Sequence, residues 1–504
     1  MKKIITLSTI AFLSTSLYAN ADMQTQIDEL TAKITKMEKA QKKQGSKISK
    51  VNKLANKDNI KWDVDFRTSY DNLQYNSVNG NEYKNNALYS MRLWLGMGYA
   101  PEDTDMVFKG QLSMNKAFGA SYMQRATGHG FDTFDWVRNE QLTDDSVHVR
   151  EAYWLWTPTI GGFGTTFSIG RRPATNGYLI NLRDDDKAKS PMGHVINMEF
   201  DGASAGIKLD KFVPGMKFKV CVGRGLTNAT SWASQATMAI AGAQAAQVGG
   251  TPYPNYAEDP GNLDSTDMAG FIFTPYDDGQ YAVEATYYRG FNVPGIFATT
   301  VDGATQAPMA YTMQSAGDMD GGAVSFKIEG IGDEINDFLD DTILFASFAM
   351  SKSNPEDITR NIVMPNGSSM NMTSASMLGS DESKTGQSYW FGMQIPNMTG
   401  GKFGLEYNHG SEHWKPFTFG EDTMIGSKMA VRGAAYETYW TQPIIDDVFS
   451  MQIRYTYFDY DYTGSAGFFG DGSTSMKVKD TKGMPGMDAI ETASDLRVYF
   501  RYRY

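Results

Sequence analysis

Three groups of residues in this chain have types and spacings that could support chemistry. The segment from Gly202 to Gly206 matches G-x-S-x-G, the pattern that presents a nucleophilic serine, here Ser204, on a sharp turn between a strand and a helix. His409 and His413 have the spacing that puts two imidazoles on one face of a helix, where they can bind a metal. The run from Arg183 to Asp186 places one cation beside three carboxylates, which could attract or repel charged solutes.

The elements predicted around the first two groups do not suit an active site or a metal site. Ser204 lies in a segment with strand periodicity that no helix follows, so the serine lacks the turn that would activate it. Gly410 and a strand-to-loop position argue against a helix that would join His409 to His413. The one cysteine, Cys221, cannot form an internal disulfide framework. We therefore expect no enzyme activity, no structural metal and no cofactor, apart from divalent cations that acidic loops could bind.

The clearest pattern lies in the last nine residues, which alternate without a break. One face carries Leu496, Val498, Phe500, Tyr502 and Tyr504, and the other carries Arg497, Tyr499, Arg501 and Arg503. A transmembrane barrel strand alternates with period two, with apolar and aromatic side chains toward lipid and polar ones toward a wet interior. The pattern predicts a membrane-inserted C-terminal strand, and its lipid-facing residues are Val498, Phe500, Tyr502 and Tyr504.

The same alternation recurs from Trp62 onward and predicts about 16 strands, whose connections alternate between short and long. Short connections are predicted at 101–105, 158–164, 211–215, 275–280, 331–341, 397–401 and 442–448, and long ones at 71–85, 117–145, 172–193, 226–266, 291–321, 353–386, 412–427 and 463–490. A barrel with tight turns at one end and long loops at the other produces this alternation. A chain of two or three soluble domains has no reason to produce it.

The membrane argument also restricts the fold class. After residue 21, no apolar stretch reaches the ~18 residues that a membrane-spanning helix requires. Only helices and closed sheets satisfy every backbone group in lipid. The predicted fold is therefore all-β, a transmembrane antiparallel up-and-down β-barrel of about 16 strands over residues 58–504, preceded by an N-terminal α-helical coiled coil.

The residues ahead of the barrel form two predicted segments. Lys2 and Lys3, an apolar run and small residues near position 20 predict a signal peptide over residues 1–21. Residues 22–57 have heptad periodicity and predict a periplasmic coiled coil that favours three strands. Its predicted core residues are Ile27, Leu30, Ile34, Met37, Ile48 and Val51. A single solvated helix, or a stalk without fixed structure, is the alternative.

The chain resembles porins at several points. Its final strand ends on an aromatic residue, as bacterial outer-membrane barrels do. The segment from Phe167 to Pro173 resembles the G-R-x-P pattern of trimeric porins, and the segment from Arg150 to Tyr153 resembles their R-x-A-Y strand. The order of parts is similar to Gram-negative outer-membrane trimeric porins that carry a short periplasmic coiled coil ahead of the barrel. The resemblance implies a homotrimer in the bacterial outer membrane, in contact with lipid and lipopolysaccharide, and no nucleic-acid partner.

The resemblance also implies a constriction, because the third external loop of trimeric porins folds into the barrel and narrows it. The corresponding loop here is 172–193, with Arg172, Arg183, Asp184, Asp185 and Asp186 as constriction residues. Strand parity adds the lumen-facing cations Arg92, Lys109, Arg454 and Arg497. Charges that face each other across a lumen select solutes. Two alternatives remain: the aspartates form a solvated loop tip, or residues 232–250 or 361–380 constrict the pore instead.

The charge balance bears on which solutes pass. The chain has a net charge of −12, and residues 1–57 contribute +7, which leaves −19 on the predicted barrel. An acidic mouth raises the local cation concentration. The expected function is passive diffusion of small hydrophilic solutes and ions through a water-filled channel, with a weak cation preference. The alternatives are a substrate-selective channel and a structural tether, in which the basic coiled coil contacts the cell wall.

Overall fold

The computed structural model describes residues 60–504, except 102, 121–141, 143–144, 174–176, 230–257, 259–263, 302–307, 332–334, 357–358, 364–368, 374–377, 379, 381, 419–423, 465–474 and 486. Lys61–Tyr99 and Asp105–Tyr504 belong to one compact unit, and Ala100–Thr104 to a separate one. All strands described below belong to the first of these units. The predicted signal peptide and coiled-coil core lie outside the described residues.

Sixteen strands form one closed antiparallel sheet, so the predicted barrel of about 16 strands is confirmed. In chain order they are β1 (Lys61–Ser77), β2 (Glu82–Tyr99), β3 (Met106–Ala117), β4 (His148–Trp156), β5 (Phe163–Pro173), β6 (Glu199–Lys208), β7 (Lys217–Leu226), β8 (Thr266–Asp277), β9 (Tyr281–Phe291), β10 (Gly317–Glu329), β11 (Ile343–Pro355), β12 (Thr385–Pro396), β13 (Lys402–Gly410), β14 (Gly433–Ile445), β15 (Phe449–Tyr460) and β16 (Ile490–Arg503). Each strand pairs with the next in this numbering, which is an up-and-down order.

β1 and β16 close the sheet. They pair antiparallel from Asp65 opposite Arg503 to Ser77 opposite Ile490. β1 also pairs with β2, and β16 with β15, so both strands have a neighbour on each side. A closed sheet has no edge of unpaired backbone donors and acceptors, which is the condition that a medium without hydrogen-bonding capacity imposes.

The connection between β1 and β2 is shorter than the sequence suggested. The long loop predicted at 71–85 is wrong, because β1 continues to Ser77 and β2 begins at Glu82. The polar residues of this hairpin pair across it, with Gln74 opposite Lys84. Polar side chains are compatible with a strand wherever both of its faces meet water, so polarity did not mark a loop here.

Two strands begin later than the sequence suggested. The strand predicted from Val195 begins at Glu199, and the strand predicted from Lys428 begins at Gly433. The apolar residues that extended the first pattern, Val195 and Met198, pack in a buried cluster with Trp414 and Phe417. Alternating apolar residues thus served the packing of a loop and not a strand.

Several connections contain secondary structure of their own. Two-stranded hairpins are formed by Pro294–Val301 with Pro308–Ser315 and by Thr359–Val363 with Ser369–Thr373. Gly177–Tyr178 pairs in parallel with Lys189–Met192, and Thr159–Ile160 pairs with the start of β5. The short helices are α1 (Ile180–Asp184) and α2 (Asp337–Asp340), with 3-10 turns at Lys428–Ala430 and Val478–Thr481. In the part of the chain that the structure describes, no helix has the length and apolar character to span a bilayer.

The outward face of the barrel carries exposed large apolar side chains on fifteen of its sixteen strands, β6 being the exception. Examples, one from each of these strands, are Trp62, Tyr89, Phe108, Trp154, Ile169, Phe218, Phe271, Tyr287, Phe326, Phe348, Phe391, Leu405, Tyr436, Tyr455 and Phe500. Many of these rings contact one another, as Tyr407 and Tyr436 do at 5.1 Å between centroids. An apolar band of this extent is far larger than the scattered patches of a soluble monomer.

Two loops pack against the inward face of the barrel. We call them the first inner loop, residues 177–198 between β5 and β6, and the second inner loop, residues 411–432 between β13 and β14, of which 419–423 are not described. Their apolar residues form a common buried cluster with side chains of β9, β10 and β11. Within the second inner loop, Trp414 and Phe417 are each 1% exposed. The core of this barrel therefore lies inside the sheet, on one side of the bore.

Candidate pore constriction

The first inner loop crosses the bore, because it contacts strands on opposite sides of the barrel. The Lys189 ammonium lies 2.6 Å from the Glu151 carboxylate on β4. The backbone N–H of Met192 donates to the Thr286 hydroxyl on β9 at 3.3 Å. Farther round the barrel, the Gln394 amide on β12 donates to the Leu182 carbonyl at 2.9 Å.

The helix α1 is held at its C-terminal end by two arginines of β16. The Arg501 guanidinium donates to the Asp184 carbonyl at 2.8 Å, and the Arg503 guanidinium donates to the Asp185 carbonyl at 2.9 Å. These carbonyls have no partners within the helix, and cations near this end also interact favourably with the helix dipole. Asp185, the residue that ends α1, has a left-handed φ of 53°, which turns the chain back toward β4.

Each of the three aspartates in the first inner loop lies beside a cation. Asp184 is 3% exposed, with its carboxylate 3.9 Å from Arg454 on β15. The Asp185 carboxylate accepts a hydrogen bond from the Lys402 ammonium, and Asp186 lies 2.9 Å from Arg501. The negative charge of this run is therefore balanced locally by the barrel wall.

Arg183 belongs to a buried charge network that links both inner loops to the wall. Its guanidinium lies 3.4 Å from the Glu437 carboxylate on β14. Lys428 of the second inner loop also contacts Glu437, and lies 2.7 Å from Glu406 on β13. Removal of one member from such a buried network leaves an uncompensated charge, which is strongly destabilising. The network therefore fixes the two loops in one position against the barrel.

The two inner loops also pair through their backbones. The Phe417 N–H donates to the Val195 carbonyl at 2.9 Å, and Ile196 and Phe417 form a parallel β-bridge. His194 lies beside this bridge, with Nδ1 2.8 Å from the Ser347 hydroxyl and Nε2 2.9 Å from the Ser388 hydroxyl. Burial lowers the pKa of the His194 imidazole to about 3, so the ring is neutral near pH 7.

The lumen-facing cations predicted from strand parity all lie on the inward face. Arg454 contacts Asp184, and Arg497 pairs with Asp71 on β1. Arg92 lies over the Trp94 ring at 3.5 Å. Lys109 lies on β3 and Arg172 on β5. The structure thus brings Arg454 together with Arg183 and the aspartates, and leaves Lys109 and Arg172 apart from them.

The C-terminal residues predicted to face lipid lie on the outward face of β16. Phe500, Tyr502 and Tyr504 are exposed, and the rings of Phe449 and Phe500 stack at 5.8 Å. The alternative constriction at 232–250 lies outside the described residues. For 361–380, most side chains lie outside them as well.

Sequence reasoning missed the second inner loop and two of the arginines that hold α1. Trp414 and Phe417 are large apolar residues three positions apart in this loop, and this pairing could have signalled burial. Arg501 and Arg503 stand in the same row as Arg497, which the parity argument had selected. Their carbonyl partners were unpredictable because the loop path was unknown.

The serine and histidines that the sequence singled out as candidates for catalysis or metal binding make structural contacts. Ser204 lies within β6, and its hydroxyl is 2.9 Å from that of Ser168 on β5. His409 lies 3.7 Å from Asp461, and His413 lies 4.0 Å from Glu412. Within the described ranges, no three or more potential ligand residues are grouped so as to hold a metal ion.

Glycines line the inward face of the barrel along β5 to β7. Gly170, Gly202 and Gly223 pair across three neighbouring strands at inward positions. Gly170 has a positive φ of 132°, and a Cβ there would lie 2.2 Å from the Ala152 carbonyl, so only glycine fits. The filled side of the bore and the glycine-lined side thus face each other.

A protein-family model matches residues 82–504, described as "Protein of unknown function (DUF3373)". The chain belongs to this family. No curated protein matches it. The family description assigns no activity, so the function has to be argued from the barrel itself.

Several solved structures are similar to this chain at low identity. They include a loop-deletion mutant of OmpT, an outer membrane protein of Vibrio cholerae, with 10% identity, a TM-score of 0.42 and coverage of 88% of this chain and 99% of that one. Pseudomonas putida OprB has 10% identity, a TM-score of 0.44 and coverage of 90% and 96%. An anion-selective porin from Comamonas acidovorans has 10% identity, a TM-score of 0.44 and coverage of 88% and 99%. Likeness at this level assigns no function to the chain.

Proposed function

We propose that this protein is an outer-membrane channel for passive diffusion of small hydrophilic solutes and ions. One observation carries the proposal: a closed sheet exposes an apolar and aromatic band on its outward face and charged side chains on its inward face. In water, the apolar band on the outward face would be exposed to solvent, which is unfavourable. In a bilayer it satisfies both faces, because lipid covers the band and water fills the bore.

Strand length is compatible with membrane insertion. The shortest barrel strands, β4 and β13, have 9 residues. A tilted transmembrane strand needs about 9 to 11 residues. Every strand of the barrel is therefore long enough to cross, and the longest ones can extend beyond the lipid.

The inner loops supply the proposed constriction. Arg183 and Asp184 to Asp186 lie in the bore beside Arg454, Arg501 and Arg503, so solutes must pass between this charged filling and the glycine-lined wall. Rings and rows of charge at a narrow point control which ions pass. Arg92, Lys109, Arg172 and Arg497 are further parts of the proposed lining.

Other features of the proposal rest on the sequence. A signal peptide over 1–21 suits export, and the coiled coil over 22–57 suits a homotrimer with its helices in the periplasm. The net charge of −19 on residues 58–504 favours a weak cation preference at the external mouth and divalent cations shared with lipopolysaccharide. Contact of the basic helix with the cell wall would make the protein a tether as well as a channel.

A substrate-selective channel is the second candidate, and the inner loops favour it. Both loops are fixed by buried ion pairs, so the passage has a defined shape and not a mobile gate. A passage of defined shape discriminates among solutes by fit. Saturable conductance with one class of ligand would distinguish this function from general diffusion.

Reconstitution of the purified protein into a planar lipid bilayer tests the proposal. We expect discrete conductance steps in potassium chloride, grouped in threes if the protein is a trimer. A heat-denatured sample of the same preparation serves as the control and should give no steps. Correctly folded protein that inserts without conductance would contradict the channel function. Deletion of 22–57 that abolishes wall attachment without changing conductance would favour the tether.

A further inference from the structure

A cavity lies between the first inner loop and the glycine-lined wall. Ser190, Pro191 and Ile196 of the loop form one side, and residues of β5 to β9 form the other. The charged residues that line it are Arg172 on β5 and Lys219 on β7. No carboxylate is among the described residues that line the cavity.

Arg172 has polar and aromatic contacts but no ion pair. Its guanidinium donates to the Ser168 hydroxyl at 2.6 Å and lies over the Tyr153 ring at 4.4 Å. Among the described residues, no Asp or Glu lies within ion-pair distance of it. Its positive charge is therefore balanced neither by the wall nor by the inner loop.

Lys219, on β7, has a similar environment. Its ammonium donates to the Ser190 hydroxyl at 3.1 Å, and no described carboxylate forms an ion pair with it. The side chain is half-buried, and the Arg172 charge is close enough to repel it. Lys217 also repels the ammonium and Glu284 attracts it, both more weakly than Arg172 acts on it.

The rest of the cavity lining is mostly apolar, with a few hydroxyl groups among it. The Ser190, Ser204 and Thr286 side chains add hydroxyl groups that can donate hydrogen bonds. Gly202 and Gly223 lie among them, where neighbouring backbone and the Phe200 side chain leave no room for a larger side chain. Two unpaired cations and several hydroxyls thus converge on one small space.

We propose that this cavity is a binding subsite for small oxyanions, carboxylate or phosphate groups, on the path of solutes through the bore. Two neighbouring, partly desolvated cations repel each other, and an anion between them removes that cost. The aspartates of the first inner loop do not oppose it, because each lies beside a cation on the far side of the bore. The inference rests on the proposed channel function and specifies its solute class. At the narrow part of the passage it predicts anion preference, whatever the charge of the external mouth.

The test compares reversal potentials across a planar bilayer under a potassium chloride gradient. The wild-type protein is expected to pass chloride more readily than potassium. The double variant Arg172→Gln with Lys219→Gln is expected to lower the chloride-to-potassium permeability ratio about fivefold, because each charge acts at close range in a wet lumen. Inorganic phosphate added on one side is expected to reduce the chloride current of the wild-type channel but not that of the variant.

The matched control is Arg224→Gln with Lys352→Gln, which removes one arginine and one lysine from the outward face. It should leave both the permeability ratio and the phosphate effect unchanged. A wild-type ratio equal to that of the Arg172 and Lys219 variant, in channels of normal conductance, would overturn the subsite but not the channel. Absence of conductance from folded wild-type protein would instead overturn the channel function.

The single variants Lys219→Gln, Lys219→Arg and Lys219→Glu give a further check against misfolding. All three keep a long polar side chain, and heat-modifiable migration in SDS verifies the barrel. The arginine variant should retain the wild-type permeability ratio, and the glutamate variant should fall below the glutamine variant. An equal ratio in all three would show that the charge at this position does not act on the permeating ion.

Discussion

At the residue scale, the barrel balances almost every charge it buries on the filled side of the bore. Arg497 and Asp71 are both fully buried, and Lys428 lies between two glutamates. Such pairs gain little net stability over apolar packing, but they are costly to break. These ion pairs fix the positions of the loops and strands that carry them, because a buried charge can pair with few other residues.

Arg501 allows this positional role to be tested. Arg501→Ala is expected to loosen the end of α1 and to remove the nearest cation from Asp65 and Asp186, at a cost of about 3 kcal/mol. Arg92 and Arg503 remain at 3.7 and 3.6 Å from these two carboxylates. The expected readout is a noisier and larger conductance step in planar bilayers. Arg497→Ala is the matched control on the same face of β16, since Arg497 pairs with Asp71 on β1. Equal conductance changes in both variants would contradict the anchoring role.

His194 makes the packing of the first inner loop sensitive to pH. Its pKa is about 3 in the folded protein and about 6.5 when the loop is released, so the released state takes up more protons between these values. Loop packing is therefore fully stable above pH ~6.5 and weakens as the pH falls, by up to ~1.4 kcal/mol per pH unit. We expect the conductance step to grow from pH 7.5 to pH 4.5 in the wild type. His194→Asn, which keeps a hydrogen-bonding side chain, should remove most of that dependence; an unchanged pH profile would disprove the role.

The residues of the candidate site show how far a sequence can be interpreted. The run from Arg183 to Asp186 could be selected, because a charge cluster in a loop does not depend on strand register. Its partners could not, since Arg183 and Glu437 are 254 positions apart and meet only through the closed sheet. The identity of a charged residue is local information, whereas its neutralisation depends on the whole fold.

At the element scale, strands were predictable and the paths of loops were not. Alternation of apolar and polar residues marks a strand with two different environments, and that condition holds around the barrel. The inner loops carry a similar pattern for another reason, as Val195 and Met198 pack against the second inner loop. A loop buried inside the barrel can therefore have the same apolar pattern as a strand. This explains why the start of β6 was predicted too early.

The first inner loop can be tested as an element by replacing residues 180–186 with a glycine-serine linker of equal length. The barrel should still form, because its ladder does not include this loop. The bore should widen, and single-channel conductance should rise about twofold or more, since α1 and its charges leave the lumen. As a control, a glycine-serine linker of four residues replaces α2 at 337–340, which lies in a short connection, and should leave conductance unchanged. Equal conductance of the loop variant and the wild type would exclude a constricting role.

At the scale of the whole molecule, the outward band determines where the protein is stable. Phe391 lies at the centre of β12 and is 49% exposed, while Gln387 lies on the same face nearer the long-loop end. Both residues therefore sample the same strand at different depths.

This pair gives a depth-dependent test of membrane insertion. Phe391→Arg is expected to destabilise the folded protein in lipid vesicles by about 2 to 4 kcal/mol, because a charge at the bilayer midplane is costly. Gln387→Arg, the matched control nearer the rim, should cost about 0 to 1 kcal/mol. Denaturant titration of tryptophan fluorescence measures both values. Similar costs for the two variants would argue against a lipid-facing band.

One strand joins two events that could have been independent. β16 completes the sheet against β1. Its Arg501 and Arg503 side chains donate hydrogen bonds to carbonyls at the end of α1. A barrel that lacks β16 is therefore expected to be both unsealed and unfilled, because closure of the sheet and anchoring of α1 depend on the same strand.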